Sequence, residues 1–108
     1  MKTPIFLNAS GDVLVFESKE NAEQYIEPVD VMNKEYKGYD SEGRLLELSV
    51  TEDGQVVLSA TELFPTHQPE LYDALVNFLS LVDKSVDVSP GVELKELVAH
   101  MLKYKIRY

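Results

Sequence analysis

The spacing of apolar residues changes its period in the second half of the chain, and this change limits the folds available to it. Before residue 60 the chain holds short apolar runs and alternations, such as Leu46, Leu48 and Val50, that are typical of strands. After Pro69 the apolar residues recur three and four positions apart, as in an amphipathic helix. Strands followed by helices favour an α+β domain over a doubly wound α/β fold.

We predict a largely antiparallel sheet of about five strands, separated by turns, with one short helix after the second strand. The predicted strands cover residues 3–8, 12–16, 35–40, 44–51 and 55–60. Ser18 is a suitable N-cap for a helix over residues 19–26, and Pro28 ends that helix. Residues 29–32 are predicted to be extended.

Two C-terminal helices are predicted to pack on one face of this sheet. The first covers residues 69–84, and the second begins with Ser89 as N-cap and Pro90 at its first position. Their apolar stripes consist of Leu71, Leu75, Phe78, Leu79 and Val82 in the first helix, and Leu94, Leu97, Val98, Met101 and Leu102 in the second. Residues 1–108 are predicted to form a single domain.

The charge of the chain is strongly negative and unevenly distributed. The chain carries 19 acidic and 10 basic residues, for a net charge of −9. Residues 12–53 alone hold 12 acids and 4 bases, a local balance of −8. Such a surface argues against general binding to nucleic acid or to anionic membranes.

The composition also limits the chemistry and the location that we expect. There is no cysteine, which excludes disulfides, thiolate metal sites and cysteine nucleophiles. The apolar run after Met1 covers only residues 5–7, too short for a signal peptide. We therefore expect a cytoplasmic protein.

No catalytic, cofactor-binding or metal-binding residue is predicted from the sequence. His67 and His100 are the only side chains that titrate near neutral pH without perturbation, and we interpret both as structural. The five glycines form neither a dinucleotide-binding motif nor a P-loop. No Gly-x-Ser-x-Gly nucleophile motif is present.

The segment 39–45 (Tyr-Asp-Ser-Glu-Gly-Arg-Leu) resembles one Tyr-Asp-x-x-Gly-Arg unit of the YD-repeat shells that enclose bacterial toxins. Such shells need many copies, because a single repeat cannot bury its own face. One copy is present here. We interpret the segment as a strand–turn–strand unit with Gly43 at the turn.

A longer series carries a second resemblance. Phe16-Glu17-Ser18 is followed by residues 25–31 (Tyr-Ile-Glu-Pro-Val-Asp-Val), by Glu35-Tyr36 and by the segment 39–46. This series, within residues 13–80, resembles small uncharacterised bacterial proteins, some of which are similar to immunity proteins of polymorphic toxin and contact-dependent inhibition systems. The resemblance implies an acidic cytoplasmic protein that binds a cognate basic toxin domain and blocks it by occlusion.

The charge pattern makes that implication physically plausible. The active clefts of toxin nucleases are commonly positive, and a dense carboxylate surface gains association rate and register from such a field. Tyrosines among the acids are candidate anchors for binding. The predicted partner-binding residues are Glu20, Glu23, Glu27, Asp30, Glu35, Tyr36, Tyr39, Asp40 and Glu42.

Two alternatives remain open at the level of sequence. The first is a regulatory or structural interaction module, with a homodimer built through a sheet edge or through the C-terminal helix. The alternation in residues 104–108 would suit addition of a strand to a partner. The second is a small enzyme or ligand-binding domain that uses His67 or a pair of carboxylates.

Overall fold

A five-stranded antiparallel sheet forms the centre of the computed structural model, which describes residues 1–106. The strand order is β2-β1-β3-β4-β5. The elements are β1 (Ile5–Ala9), β2 (Asp12–Phe16), α1 (Lys19–Tyr25), α2 (Pro28–Met32), β3 (Lys37–Tyr39), β4 (Leu45–Val50), β5 (Val56–Ala60), α3 (Gln68–Val82) and α4 (Leu94–Met101), and a single 3₁₀ turn (Leu102–Tyr104) follows α4. The predicted α+β class and the five-stranded antiparallel sheet are confirmed.

The two faces of the sheet bury different helices. In β1, Phe6 packs against the core formed with α3 and α4, whereas Ile5 and Leu7 pack against the core formed with α1 and α2. This division follows from the strand geometry, because successive side chains point to opposite faces. The sheet is therefore covered by α3 and α4 on one face and by α1 and α2 on the other.

The predicted helical stripes form the core on the α3 and α4 side. Leu75, Leu79, Leu97 and Met101 are fully buried, and Leu71 is 1% exposed. Each lies at helical spacing on the side of its helix that faces the sheet. The prediction that the two C-terminal helices pack on one face is therefore confirmed.

Two local predictions were wrong. Residues 29–32 are not extended but form α2, because Pro28 ends α1 and also occupies the first turn of α2, where its fixed φ favours the helix. The last helix begins at Leu94 with Glu93 as N-cap, and not at Ser89. Instead, the Ser89 carbonyl accepts a hydrogen bond from the Val92 N–H (3.2 Å), which closes a turn.

The C-terminal residues cover one edge of the sheet. The Ile106 N–H donates to the Val15 carbonyl in β2 (2.8 Å), and the Lys105 ammonium lies 3.4 Å from the Glu17 carboxylate. Within the chain, Lys105 forms one isolated parallel bridge with Val15, and the addition of residues 104–108 to a partner stays a prediction. Residues 107 and 108 lie outside the described residues.

Candidate partner-binding surface

The helices α1 and α2 form the acidic side of the molecule. Ser18 caps α1 as predicted, because its hydroxyl oxygen accepts a hydrogen bond from the Asn21 N–H (3.1 Å). Ala22 and Ile26 bury the inner side of this segment, and Val31 does the same for α2. The acids between these buried positions are therefore left at or near the surface.

A tight turn at the end of α2 brings two of the predicted residues together. The Glu35 N–H donates to the Asp30 carbonyl (3.1 Å) and the Lys34 N–H donates to the Val31 carbonyl (3.0 Å). Lys34 has a φ of +56°, so the turn has the Schellman pattern with a lysine in the left-handed position. This turn returns the chain over α2 and places Glu35 beside Asp30.

The left-handed position gives a first stability prediction. Lys34→Gly should raise the free energy of unfolding by about 0.5–1 kcal/mol, because glycine reaches a positive φ without the steric cost that a side chain adds. Urea denaturation followed by circular dichroism measures the change. Lys34→Ala also removes the lysine charge, so its comparison with Lys34→Gly isolates the effect of glycine. Asn33→Gly is the matched control and should not stabilise the protein, because Asn33 has a φ of −83°. Equal stabilities for Lys34→Gly and Lys34→Ala would contradict this account.

Four of the predicted residues on and next to α2 influence one another's ionisation. A hydrogen bond that the protonated Glu35 carboxyl donates to the Asp30 carboxylate, reinforced by the Asp30 charge, raises the pKa of Glu35. Burial raises the pKa of Tyr36, and the negative charges of Asp30, Glu35 and Glu27 add to this shift. Four predicted residues (Glu27, Asp30, Glu35, Tyr36) therefore form one group, which we call the α2 acidic cluster.

Within residues 1–106, no basic side chain neutralises the carboxylates of the α2 acidic cluster. Among residues 1–106, no lysine or arginine nitrogen forms an ion pair with Glu27, Asp30 or Glu35. Glu27 and Glu35 are exposed, and Asp30 is partly buried. The cluster thus presents uncompensated negative charge to the solvent.

Exposed apolar side chains stand on the same two helices and were not among the predicted partner-binding residues. Met32 is 68% exposed, Val29 51% and Tyr25 45%. Val29 and Met32 lie three positions apart, so they share one side of α2. Residues three positions apart share a side in a helix but point to opposite sides of an extended strand. Because the sequence predicts residues 29–32 as extended, it does not bring Val29 and Met32 together. Apolar groups rimmed by charge are characteristic of protein–protein interfaces.

Glu20 and Glu23 have different environments, although both belong to α1. Glu20 is exposed in the first turn of the helix. Glu23 turns towards the sheet, where its carboxylate accepts a hydrogen bond from the Leu58 N–H (2.8 Å) and lies 3.4 Å from the Lys19 ammonium. Glu20 is thus available to a partner, whereas Glu23 has a partner within the fold.

Tyr39 and Asp40 are buried, so we remove both from the predicted contact surface. Tyr39 is 1% exposed, and burial together with the neighbouring Glu70 raises its pKa. Asp40 is 0% exposed and accepts hydrogen bonds from the N–H groups of Arg44 (2.9 Å), Glu42 (3.0 Å) and Lys2 (3.1 Å). Tyr39 belongs to the core, and Asp40 holds the turn between β3 and β4, which agrees with the strand–turn–strand interpretation.

Glu42 lies on that same turn and not on α1 or α2. Its carboxylate pairs with the Arg44 guanidinium at 2.5 Å, and this guanidinium also lies 3.1 Å from the Asp40 carboxylate. The Arg44 charge therefore compensates Glu42. The structure does not bring Glu42 into the α2 acidic cluster.

The surroundings of His67 bear on the enzyme alternative. Its Nδ1 lies 3.1 Å from both the Thr66 hydroxyl and the Glu62 carboxylate, and its Nε2 lies 4.0 Å from Glu70. A nucleophile relay needs the hydroxyl and the carboxylate on opposite ring nitrogens. Here both meet the same nitrogen, and hydrogen bonds from Thr66 and the Leu45 N–H lower the pKa of Glu62 to about 2. The arrangement holds the loop before α3 and does not form a relay.

Residues 1–106 contain neither a metal-binding group of side chains nor a helix that could cross a membrane. Within that part of the chain, no group of three or more histidine, aspartate or glutamate side chains is arranged to hold a metal ion. No helix there has both the length and the apolar character needed to cross a membrane. Comparison with protein-family models, curated proteins and solved structures gives no match for this chain.

Proposed function

We propose that this chain is an immunity-type protein that binds a cognate, basic bacterial toxin domain in the cytoplasm and neutralises it by occlusion. The observation that carries the proposal is the juxtaposition on α1 and α2 of uncompensated carboxylates and exposed apolar side chains. Met32 and Val29 would enter apolar recesses of the partner, and the α2 acidic cluster would meet basic groups around them. Buried apolar anchors supply most of the energy in such contacts.

The charges would act chiefly on the rate and the register of association. Exposed carboxylates steer a basic partner towards the surface, and salt weakens this steering. An incoming ammonium or guanidinium group would also favour the ionised form of Glu35, whose pKa is raised by Asp30 in the free protein. Binding would therefore release protons at a pH near that pKa. Occlusion needs no catalytic group in this chain.

The charge requirement is tested by affinity capture from the source organism with tagged protein. The variant carrying Glu27→Lys, Asp30→Lys and Glu35→Lys should lose the partner that the wild type retains, with a fall in affinity of at least about 100-fold for three reversed contacts. A milder variant (Glu27→Gln, Asp30→Asn, Glu35→Gln) should show a smaller loss that comes mainly from slower association. Circular dichroism verifies that both variants fold.

A variant with the same change of net charge on the other face serves as the control. The control variant carries Glu47→Lys, Asp73→Lys and Glu96→Lys. These exposed acids lie on the α3 and α4 side of the molecule: Glu47 on β4, Asp73 on α3 and Glu96 on α4. This variant should retain the partner. Equal capture by both lysine variants would refute the surface assignment, and a captured protein whose toxicity is not relieved on co-expression would refute the immunity role.

A further inference from the structure

β5 is an edge strand, and alternate residues of it point their backbone N–H and C=O groups away from the sheet. The Thr51 N–H donates to the Gln55 carbonyl (2.8 Å), which sets the alternation of bonded and non-bonded pairs along β4 and β5. In that alternation Val56, Leu58 and Ala60 turn their N–H and C=O groups outward. These are the groups with which an added strand would pair.

Two side chains of α1 occupy the middle of this edge. The Leu58 N–H donates to the Glu23 carboxylate (2.8 Å), and the Lys19 ammonium donates to the Leu58 carbonyl (3.3 Å). Glu23 takes the place of a neighbouring strand's carbonyl and Lys19 that of its N–H, and we call these two side chains the edge latch. The latch is held by side chains alone, and the side chain of Lys19 is 40% exposed.

A groove of about 350 Å³ lies directly beside the latch. It runs between the end of α1 and the turn that joins β4 to β5. Ile26, Pro28 and Val56 form its apolar part, and Glu23 and Gln55 line it as well. A volume at the lower end of the range for ligand pockets suits a few side chains of an extended peptide.

The charges around the groove indicate what kind of segment it would accept. Residues 19–28 and 52–56 contain five acids and a single base, Lys19. The acids Glu20, Glu27, Glu52 and Asp53 are exposed. A segment that carries lysine or arginine is therefore favoured over an acidic one.

We propose that the β5 edge and this groove form a strand-addition site for an extended, lysine- or arginine-bearing segment of the protein partner. The edge latch opens as the segment binds, so that Leu58 exchanges its two side-chain hydrogen bonds for backbone ones. Val56 pairs with the segment in the groove, and the apolar side chains of the segment contact Ile26 and Pro28. This inference rests on the proposed function, since it adds a second contact for the same basic partner.

The test uses the full chain and a synthetic probe, acetyl-Lys-Val-Lys-Val-Lys-Val-amide. Titration followed by ¹⁵N NMR should shift the amide signals of Val56 and Leu58. The double variant Lys19→Ala/Glu23→Ala should bind the probe about tenfold more tightly, since two backbone groups are released without a change in net charge. If the probe is attracted only by the negative charge of the surface, the double variant should bind it no more tightly than the wild type.

Matched controls separate edge pairing from general charge attraction. Glu93→Ala/Lys95→Ala removes an exposed ion pair of the same composition at the start of α4 and should leave binding unchanged. A probe with alternate N-methylated peptide bonds, and an acidic probe with glutamate in place of lysine, should both bind at least about tenfold more weakly. Equal binding of the N-methylated probe, absence of any gain in the latch variant, or signal shifts confined to α2 would overturn the proposal.

Sedimentation velocity tests whether the β5 edge pairs with a second copy of the chain instead of with a peptide segment. If the latch variant forms dimers without the probe, a second copy of the chain pairs at β5 and the proposed peptide site is wrong. The monomeric state is expected. Failure of the probe leaves the charge-reversal experiment on the α2 acidic cluster intact, and failure of that experiment leaves the probe result intact, so the two proposals can fail separately.

Discussion

Replacing Asp40 by alanine is expected to lower the free energy of unfolding by about 3–5 kcal/mol, the range typical of breaking a buried ion pair. The carboxylate is fully buried and accepts hydrogen bonds from three backbone N–H groups and from the Arg44 guanidinium. Its removal leaves those donors and the Arg44 charge without their acceptor. Urea denaturation followed by circular dichroism measures the loss, and Asp73→Ala, at an exposed position on α3, should change stability by less than about 0.5 kcal/mol.

The contribution of Asp40 should also depend on pH in a defined direction. Burial alone would raise its pKa, but hydrogen bonds from the Arg44 and Lys2 N–H groups and from the Arg44 side chain lower it below its ordinary value of 3.8. The stabilisation is therefore fully present above pH 3.8 and is lost as the pH falls through the lower, folded-state pKa. The difference in stability between wild type and Asp40→Asn should shrink on acidification. A difference that grows below pH 3.8 would contradict this assignment.

Replacing Gly43 by alanine is the second substitution for which we expect a large effect. Gly43 has a φ of +94°, and a Cβ atom built there would lie 2.6 Å from the Gln68 Cγ and 2.7 Å from the Gln68 Cα. The second contact is with backbone, so a change of side-chain rotamer cannot relieve it. We expect the free energy of unfolding to fall by about 2–4 kcal/mol, because the alanine must bear both the steric overlap with Gln68 and the cost of a positive φ.

Gly11→Ala is the matched control, because it isolates the cost of the positive φ. Gly11 has a φ of +100°, and a Cβ atom there would meet nothing within 4 Å. Its substitution should lower the free energy of unfolding by only about 1 kcal/mol. Equal losses at Gly11 and Gly43 would show that the contact between the β3–β4 turn and the start of α3 is not tightly packed.

The clearest predictions from the sequence were those that rest on local periodicity. The stripe from Leu71 to Leu79 and the alternation of Leu46 with Glu47 follow directly from the geometry of a helix and of a strand. Ser18 and Pro28 mark the ends of α1 because each acts on the neighbouring backbone. The prediction was wrong at residues 29–32, where one proline both ends a helix and begins the next.

The candidate site was predicted only in part, because its acids lie at different depths and on different elements. The charge excess of residues 12–53 was visible without a structure, but the sequence could not show which acids are buried. Asp40 becomes an internal acceptor only because the β3–β4 turn closes around it, and Glu23 caps the sheet only because α1 lies beside β5. The exposed pair Val29 and Met32 depends on the helical state of α2.

The sequence by itself determined the order and period of most elements, the negative charge and the absence of cysteine chemistry. These properties depend on local spacing and on composition. Only the tertiary structure decided that Glu27, Asp30, Glu35 and Tyr36 form one cluster beside exposed apolar side chains, and that the two sheet edges are covered differently. The reason is physical: strand pairing and the packing of helices on the sheet join residues distant in sequence, and local periodicity carries no information about which of them meet.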